Sequence, residues 1–111
     1  MTRLATVSPT GVEVGLESVT APTLRAVGPM PFRTQITLAY GLPRAGQTRL
    51  EVFDVRGRRV RGLLSGLQSA GVHRVAWDGR DRGGQPLAAG IYFVRLFTPQ
   101  GERSLRIVRV Q

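Results

Sequence analysis

The chain has no cysteine and no lysine, and it has one histidine among its 111 residues. Without cysteine there can be no disulfide bond, cysteine zinc ligand or thiol nucleophile, so packing and backbone hydrogen bonds must stabilise the fold. Without lysine there can be no Walker-type phosphate loop, which needs that side chain beside its glycines. These absences exclude several kinds of chemistry before any motif is considered.

Long apolar runs are missing as well. The start, MTRLATVSPTGVEVG, has one arginine but no apolar run of signal-peptide length after it, and no stretch is long enough to span a membrane. We therefore expect no membrane insertion and no secretory signal in this chain. We therefore expect the chain to be either cytosolic or part of a longer exported protein whose signal lies elsewhere.

Acidic residues are scarce, and the chain carries a net charge of +9 from sixteen basic and seven acidic side chains. Such a surplus favours an acidic partner, such as nucleic acid, anionic lipid or an acidic glycan. All sixteen basic residues are arginine. Complete replacement of lysine by arginine is typical of a genome-wide compositional bias, although arginine is also the better phosphate ligand.

Apolar residues recur with a period of two, as in Ile36, Leu38 and Tyr40, and turn signals such as LPRAG and TPQG interrupt them at short intervals. This pattern predicts an all-β fold, an immunoglobulin-like antiparallel β-sandwich of about seven to nine strands. We interpret LLSGLQSAG, residues 63–71, as a loop because its two glycines disfavour a helix. The predicted strands cover 3–8, 12–17, 23–27, 34–40, 48–55, 58–64, 71–77, 90–97 and 102–110.

A chain of this length is expected to form one core. We assign residues 21–111 to the sandwich, and residues 1–20 to N-terminal strands or a hairpin, or to a linker from an upstream domain. The predicted core residues are Ile36, Leu38, Leu50, Val52, Val60, Val75, Trp77, Tyr92, Val94 and Leu96.

The segment WDGRDRGGQPLAAGIY, residues 77–92, combines aspartates, glycines and arginines in a way that suggests either a metal loop or a sharp turn. An EF-hand calcium loop needs oxygen ligands at alternate positions and a final bidentate glutamate, which Asp78 and Asp81 lack. We favour a turn that begins at Asp78 and Gly79, in which the Asp81 carboxylate accepts backbone N–H groups. No metal site or cofactor is predicted.

Catalysis is not predicted either. A serine, histidine and aspartate set can be proposed from Ser65, His73 and Asp78, but residues five apart on one strand point to opposite faces. The run RGRRVRG places Arg56, Arg58, Arg59 and Arg61 around a hairpin turn, with Val60 pointing inward. This run is either a charged ribbon that protects a strand edge or a polyanion patch with weak, nonspecific, salt-sensitive nucleic-acid binding.

Four segments follow one another in a familiar order: GPMPFRTQITLAYGLP, TRLEVFDVRGRRVRGL, GVHRVAWDGRDRGGQPLAAGIYFVRL and LRIVRVQ. From about residue 24 to 111 the chain resembles the immunoglobulin-like C-terminal domain of bacterial secreted proteins. That family includes type IX secretion sorting domains and is similar to the Ig-like domain of flagellar hook-capping proteins. Met30 stands where the family usually has asparagine. The motif residues are Pro29, Pro31, Phe32, Phe53, Asp54, Gly57, Arg58, Val60, Trp77, Asp78, Gly79, Asp81, Gly90 and Tyr92.

The resemblance implies a noncatalytic module of a larger exported protein, located outside the cell or on its surface, that serves in secretion sorting or surface display. Its partners would then be an outer-membrane translocon or upstream domains of the parent chain. Arg106, Arg109 and Val110, in the basic and apolar end, are the candidates for recognition. Two alternatives stay open: a structural assembly domain like that of hook-capping proteins, and a basic polyanion-binding module.

Overall fold

A computed structural model of the protein describes residues 19–111 as two antiparallel β-sheets packed face to face, which confirms the predicted all-β sandwich. The predicted strands at 3–8 and 12–17 lie outside the described residues. The seven strands of the described part are β1 (Thr23–Val27), β2 (Ile36–Leu42), β3 (Gly46–Phe53), β4 (Arg59–Gln68), β5 (Gly71–Trp77), β6 (Gly90–Thr98) and β7 (Gly101–Arg109).

Sheet A has the strand order β1-β2-β5, and sheet B has the order β4-β3-β6-β7. In sheet B, Leu50 pairs with Leu96, and β3 and β6 stay paired without a register shift. Their inward side chains therefore form one apolar layer. In sheet A, Ile36 pairs with Trp77 and brings the indole to the same interior. The period of two in the sequence therefore separates an inner from an outer face on each sheet.

Trp77 lies at the centre of the core and is completely buried. Its ring centroid is 5.7 Å from that of Phe32 and 5.8 Å from that of Tyr92. Val60 and Val75 were predicted to be core residues, but both are only partly buried because they belong to the edge strands β4 and β5. Four buried core residues were not predicted: Phe32, Tyr40, Leu42 and Ile107.

The loop predicted at 63–71 is wrong, because β4 continues to Gln68 and β5 begins at Gly71. Glycine disfavours a helix, but the edge strand β4 accommodates Gly62 and Gly66, and its register with β3 shifts between Leu50 and Glu51. Leu63 and Leu64 pack against the core and hold this irregular strand to the sheet.

In the part of the chain that the structure describes, no helix has the length and apolar character needed to cross a membrane.

Candidate functional site

The loop that joins β5 to β6 contains the aspartates and glycines that suggested a metal loop. The Asp81 carboxylate accepts hydrogen bonds from the backbone N–H groups of Gly83 and Gln85, both at 2.9 Å and both through Oδ1. The Asp81 N–H donates to the Gln85 carbonyl at 2.9 Å, which closes the same turn. Asp81 therefore has the turn role predicted for it.

Asp78 is engaged in a second part of this loop. Its Oδ1 accepts from the Arg80 N–H at 3.1 Å and from the Arg61 guanidinium at 3.0 Å. Partial burial works to raise the pKa of Asp78, but the Arg80 N–H and the Arg61 charge outweigh it and hold that pKa below its usual value. The carboxylate thus ties the loop to β4.

The arginine at position 61 and the core tryptophan converge on a single loop carbonyl. The Trp77 indole Nε1–H donates to the Arg80 oxygen at 2.9 Å, and Arg61 donates to the same oxygen at 3.0 Å. Further along, the Leu87 N–H donates to the Gly79 carbonyl at 2.9 Å, and the Tyr92 hydroxyl donates to the Ala88 carbonyl at 2.6 Å.

Within residues 19–111, no three histidine, cysteine, aspartate or glutamate side chains group so that they could hold a metal ion.

The hairpin between β3 and β4 is organised by Asp54. Its Oδ1 accepts from the backbone N–H groups of Arg56 and Arg58, at 2.9 and 3.0 Å. These bonds, led by the one from the Arg58 N–H, lower the pKa of Asp54. Gly57 has a φ of 83°, in the left-handed region that favours glycine.

Three of the four arginines in the predicted polyanion patch form ion pairs with carboxylates of the chain. Arg58 pairs with Asp54 at 2.9 Å, Arg59 with Glu51 at 2.9 Å and Arg61 with Asp78 at 3.0 Å. Arg56 forms no such pair with any residue between 19 and 111. The patch therefore presents much less free positive charge than its sequence suggests.

The C-terminal residues proposed for recognition have different surroundings. Val110 is half-buried, and its N–H donates to the Phe32 carbonyl at 2.9 Å, while the Phe32 N–H donates to the Val108 carbonyl at 3.0 Å. Arg109 donates to the Leu87 carbonyl at 2.7 Å, and its side chain covers Gly79. Arg106 is the exposed member of the set. The entry motif around Pro31 and Phe32 thus fastens the chain end to the fold.

The structure does not bring the proposed catalytic set together. His73 stacks on Tyr40 with ring centroids 4.9 Å apart, and its Nε2 lies 2.8 Å from the Ser69 carbonyl, which makes that nitrogen the donor. Ser65 is exposed on β4 in the other sheet. Ser65 and His73 therefore lie in different sheets, and the three groups do not form a catalytic set.

A feature that the sequence interpretation missed lies on the outer face of sheet B. There β3 and β6 present Arg49, Glu51, Phe53, Phe93, Arg95 and Phe97, and we call these six residues the arginine–phenylalanine face. The signal was in the sequence: Tyr92, Val94 and Leu96 were assigned to the core, so the residues between them had to point outward. The basic run RGRRVRG contains no aromatic residue, but β3 and β6 present phenylalanines interleaved with arginines.

The FlgD Ig-like domain family matches residues 22–101 of the chain. Among solved structures, dimeric latent PorU from Porphyromonas gingivalis aligns over 84% of this chain and 10% of its own, with 17% identity and a TM-score of 0.59. FlgD from P. aeruginosa aligns over 82% of this chain and 76% of its own, with 21% identity and a TM-score of 0.56. No curated protein matches.

A second FlgD, from Xanthomonas campestris, aligns over 89% of this chain and 74% of its own, with 23% identity and a TM-score of 0.55. Its structure is described as giving insight into hook capping, which is essential for flagellar assembly. The chain thus spans about three quarters of each FlgD structure but only a tenth of PorU. At these identities the structural similarity concerns the fold.

Proposed function

Because the chain belongs to the family of FlgD Ig-like domains, we propose that it is a noncatalytic β-sandwich module of a larger exported protein, acting in secretion sorting or surface display. The location that follows is outside the cell or on its surface, and the partners are a translocon or neighbouring domains of the parent chain. Residues 1–20, as proposed from the sequence, would be an N-terminal hairpin or the link to such a domain.

The observation that supports a noncatalytic role is how the motif residues use their polar groups. Asp54, Asp78 and Asp81 each accept hydrogen bonds from their own turn. Trp77 and Tyr92 each donate to a loop carbonyl. A catalytic carboxylate needs a lone pair and a position directed at a substrate, whereas these groups are engaged in holding the loops. The motif therefore maintains the fold, and any function lies on the surface.

A sorting role would require a recognised feature at the C-terminal end. Of the three candidate residues there, side-chain exposure favours one. Arg109 and Val110 have structural partners within the fold. Arg106 is exposed on β7 beside Phe93. If a translocon reads this end of the folded domain, Arg106 is the side chain within its reach.

A second candidate is a structural assembly domain like that of the hook-capping proteins. The family match and the coverage of the two FlgD structures favour it. The third interpretation, a polyanion-binding module, has less support because three of its four arginines form ion pairs. Its binding to DNA would be weak and would disappear between about 50 and 200 mM salt.

Export of a fusion protein tests the proposal. A periplasm-targeted reporter followed by the complete chain is expressed in a bacterium that has a type IX translocon, and surface-exposed reporter is measured by protease accessibility. We expect the wild-type fusion to reach the surface and Arg106→Ser to reduce the surface fraction. Arg74→Ser, which changes an exposed arginine on sheet A, is the matched control and should have no effect.

Two results would decide against sorting. If the folded wild-type fusion stays in the periplasm, the assembly role replaces sorting as the leading proposal. If Arg106→Ser and Arg74→Ser behave alike, the exposed basic end is not what the translocon reads. Folding of each fusion is checked by resistance of the purified domain to limited proteolysis.

A further inference from the structure

The arginine–phenylalanine face forms an ordered array across four strands. In one row, Ser65, Arg49, Phe97 and Glu102 are successive cross-strand partners. Four residues further along the strands, Arg59, Phe53, Phe93 and Arg106 form a second such row, and Glu51 and Arg95 lie between the two rows. Apolar rings and charges of both signs are therefore interspersed on a surface that does not belong to the core.

The arginines of this array are held in place by the phenylalanines. The Arg49 guanidinium carbon lies 4.4 Å from the centroid of the Phe97 ring, and that of Arg95 lies 5.1 Å from the same centroid. Arg95 also lies 5.7 Å from the Phe53 centroid. Such contacts between a guanidinium group and an aromatic ring are attractive even at an exposed site. The guanidinium groups are thus positioned before any partner binds, which lowers the entropy lost on binding.

The array has an excess of positive charge. Arg49 and Arg59 share Glu51, with N–O distances of 3.5 and 2.9 Å, and Arg95 pairs with Glu102 at 2.9 Å. Arg106 adds a further exposed arginine beside Phe93. Four arginines therefore face two glutamates, and Arg49, Arg59 and Arg95 keep roughly half of their side-chain surface exposed. An acidic partner complements this surface.

Two shallow grooves flank the array. One, of about 360 Å³, lies against Phe97, Arg49, Ser65 and Pro99. The other, of about 330 Å³, lies against Phe53, Phe93, Arg95, Val55 and Ser104. Phe93 and Phe97 are four residues apart on β6, a distance of about 13 Å in a strand. Each groove offers ring surface to an apolar side chain, with the arginines between them.

We propose that this face binds an acidic, extended polypeptide segment whose two apolar side chains enter the two grooves while a carboxylate between them meets Arg49 and Arg95. This binding role goes beyond sorting or display and does not depend on either. A protein segment fits better than a nucleic acid because Glu51 and Glu102 repel a dense row of phosphates.

The test is a titration of the complete, isotopically labelled chain with three peptides at physiological salt, in which NMR chemical-shift changes report binding. The probe acetyl-GLSESLG-amide carries two leucines four residues apart and a glutamate between them on the same side of an extended chain. We expect its shifts to concentrate at Phe53, Phe93, Arg95 and Phe97. GLSQSLG should bind about threefold to fivefold more weakly because it loses an exposed charge pair. GSSESSG should bind at least about tenfold more weakly because it loses two apolar anchors.

Variants that fill the grooves test the same face without removing any of its contacts. Ser104→Trp and Ser65→Trp should each weaken GLSESLG binding at least about tenfold, since a buried apolar anchor contributes that much. The control Ala76→Trp adds equal bulk to an exposed position on sheet A and should leave binding unchanged. The Trp77 indole signal reports whether each variant is folded. If a variant does not fold, the three peptides on the wild-type chain still give the answer.

Three outcomes would overturn the proposal. The first is shifts on sheet A or spread over the molecule. The second is equal binding of GLSESLG and GLSQSLG, or equal binding to the wild-type chain and to both groove-filling variants. The third is a short oligothymidylate that occupies the arginine–phenylalanine face more tightly than GLSESLG at physiological salt, which would assign this face to nucleic acid instead.

Discussion

The loop after Trp77 and the arginine–phenylalanine face both combine arginine with aromatic residues, but they use them in opposite ways. At the loop, Arg61 of β4 and Arg109 of β7 donate to carbonyls of the loop, and the rings of Trp77 and Tyr92 are buried. On the face, Arg49 and Arg95 lie over phenylalanine rings with their charges accessible to solvent. The same residue types therefore maintain the fold in one region and are available for binding in the other.

This difference explains how a family motif can be recognised without revealing a function. The motif residues of the loop are fixed by the requirements of the turn and of the core beneath it. The residues of the face have no such requirement, because an outward position on a sheet accepts many side chains. Substitutions in the loop should thus change the free energy of unfolding, and substitutions on the face should change binding.

The largest effect is expected in the core beneath the loop. Trp77→Ala should lower the free energy of unfolding by about 3 to 5 kcal/mol, because it removes a completely buried ring and the donor to the Arg80 carbonyl. Denaturation in urea measures the change. A denaturant midpoint near that of the wild type would mean that the indole is not the centre of the core.

A smaller effect is expected at Gly79, where φ is +74° and an added Cβ would lie 2.6 Å from Arg109 Nε. Gly79→Ala should destabilise the fold by about 2 to 3 kcal/mol through backbone strain and displacement of that arginine. Gly84→Ala, with a φ of +86° and open space around the added atom, is the matched control and should cost about 1 kcal/mol. Equal losses would show that the packing of Arg109 on the loop contributes nothing.

The two turns should also share a dependence on acid. The pKa values of Asp54 and Asp78 are lowered in the folded chain, so their contribution is complete above pH 3.8, the ordinary value, and is lost as pH falls through the lowered values. We expect constant stability from neutral pH down to about 5 and a decline below about 4. The double variant Asp54→Asn, Asp78→Asn should show a shallower decline. If the free energy of unfolding of the double variant fell with pH as steeply as that of the wild type, these two carboxylates would not contribute to acid unfolding.

The smallest change in stability is expected on the face. Arg95→Gln removes an exposed ion pair and two contacts with phenylalanine rings, and should cost at most about 1 kcal/mol. The same variant should weaken binding of GLSESLG severalfold, whereas Arg74→Gln on sheet A should change neither quantity. A large loss of stability without a loss of binding would assign Arg95 to the fold and erase the contrast between the two regions.

The sequence contained the information for the fold and for the turns. Alternating apolar residues predicted the sandwich, and the short reach of an aspartate side chain predicted that Asp81 would cap its own turn. The prediction of a loop at 63–71 is wrong, because glycine argues against a helix but not against an edge strand with a shifted register. The core prediction missed Phe32, Tyr40, Leu42 and Ile107 because the burial of these side chains depends on what the rest of the chain places over them.

The candidate sites were less accessible from sequence. Arg58, Arg59 and Arg61 belong to one basic segment of the sequence. Each is nevertheless paired with a carboxylate whose position depends on strand register or on loop geometry. Phase along β6 is enough to predict that Phe93, Arg95 and Phe97 point outward. Their meeting with Arg49 and Phe53 depends on which strand lies beside β6, and that is a property of topology.

The central claim, that the loop carboxylates hold the fold, is tested most directly by the urea denaturation of Asp81→Asn beside Asp81→Ala. Both turn hydrogen bonds reach Oδ1 alone, and the asparagine side chain keeps that acceptor. We predict that Asp81→Asn unfolds within about 0.5 kcal/mol of the wild type, while Asp81→Ala loses about 2 kcal/mol. Equal losses in the two variants, or a wild-type stability that rises with millimolar calcium and falls back with a chelator, would contradict the account.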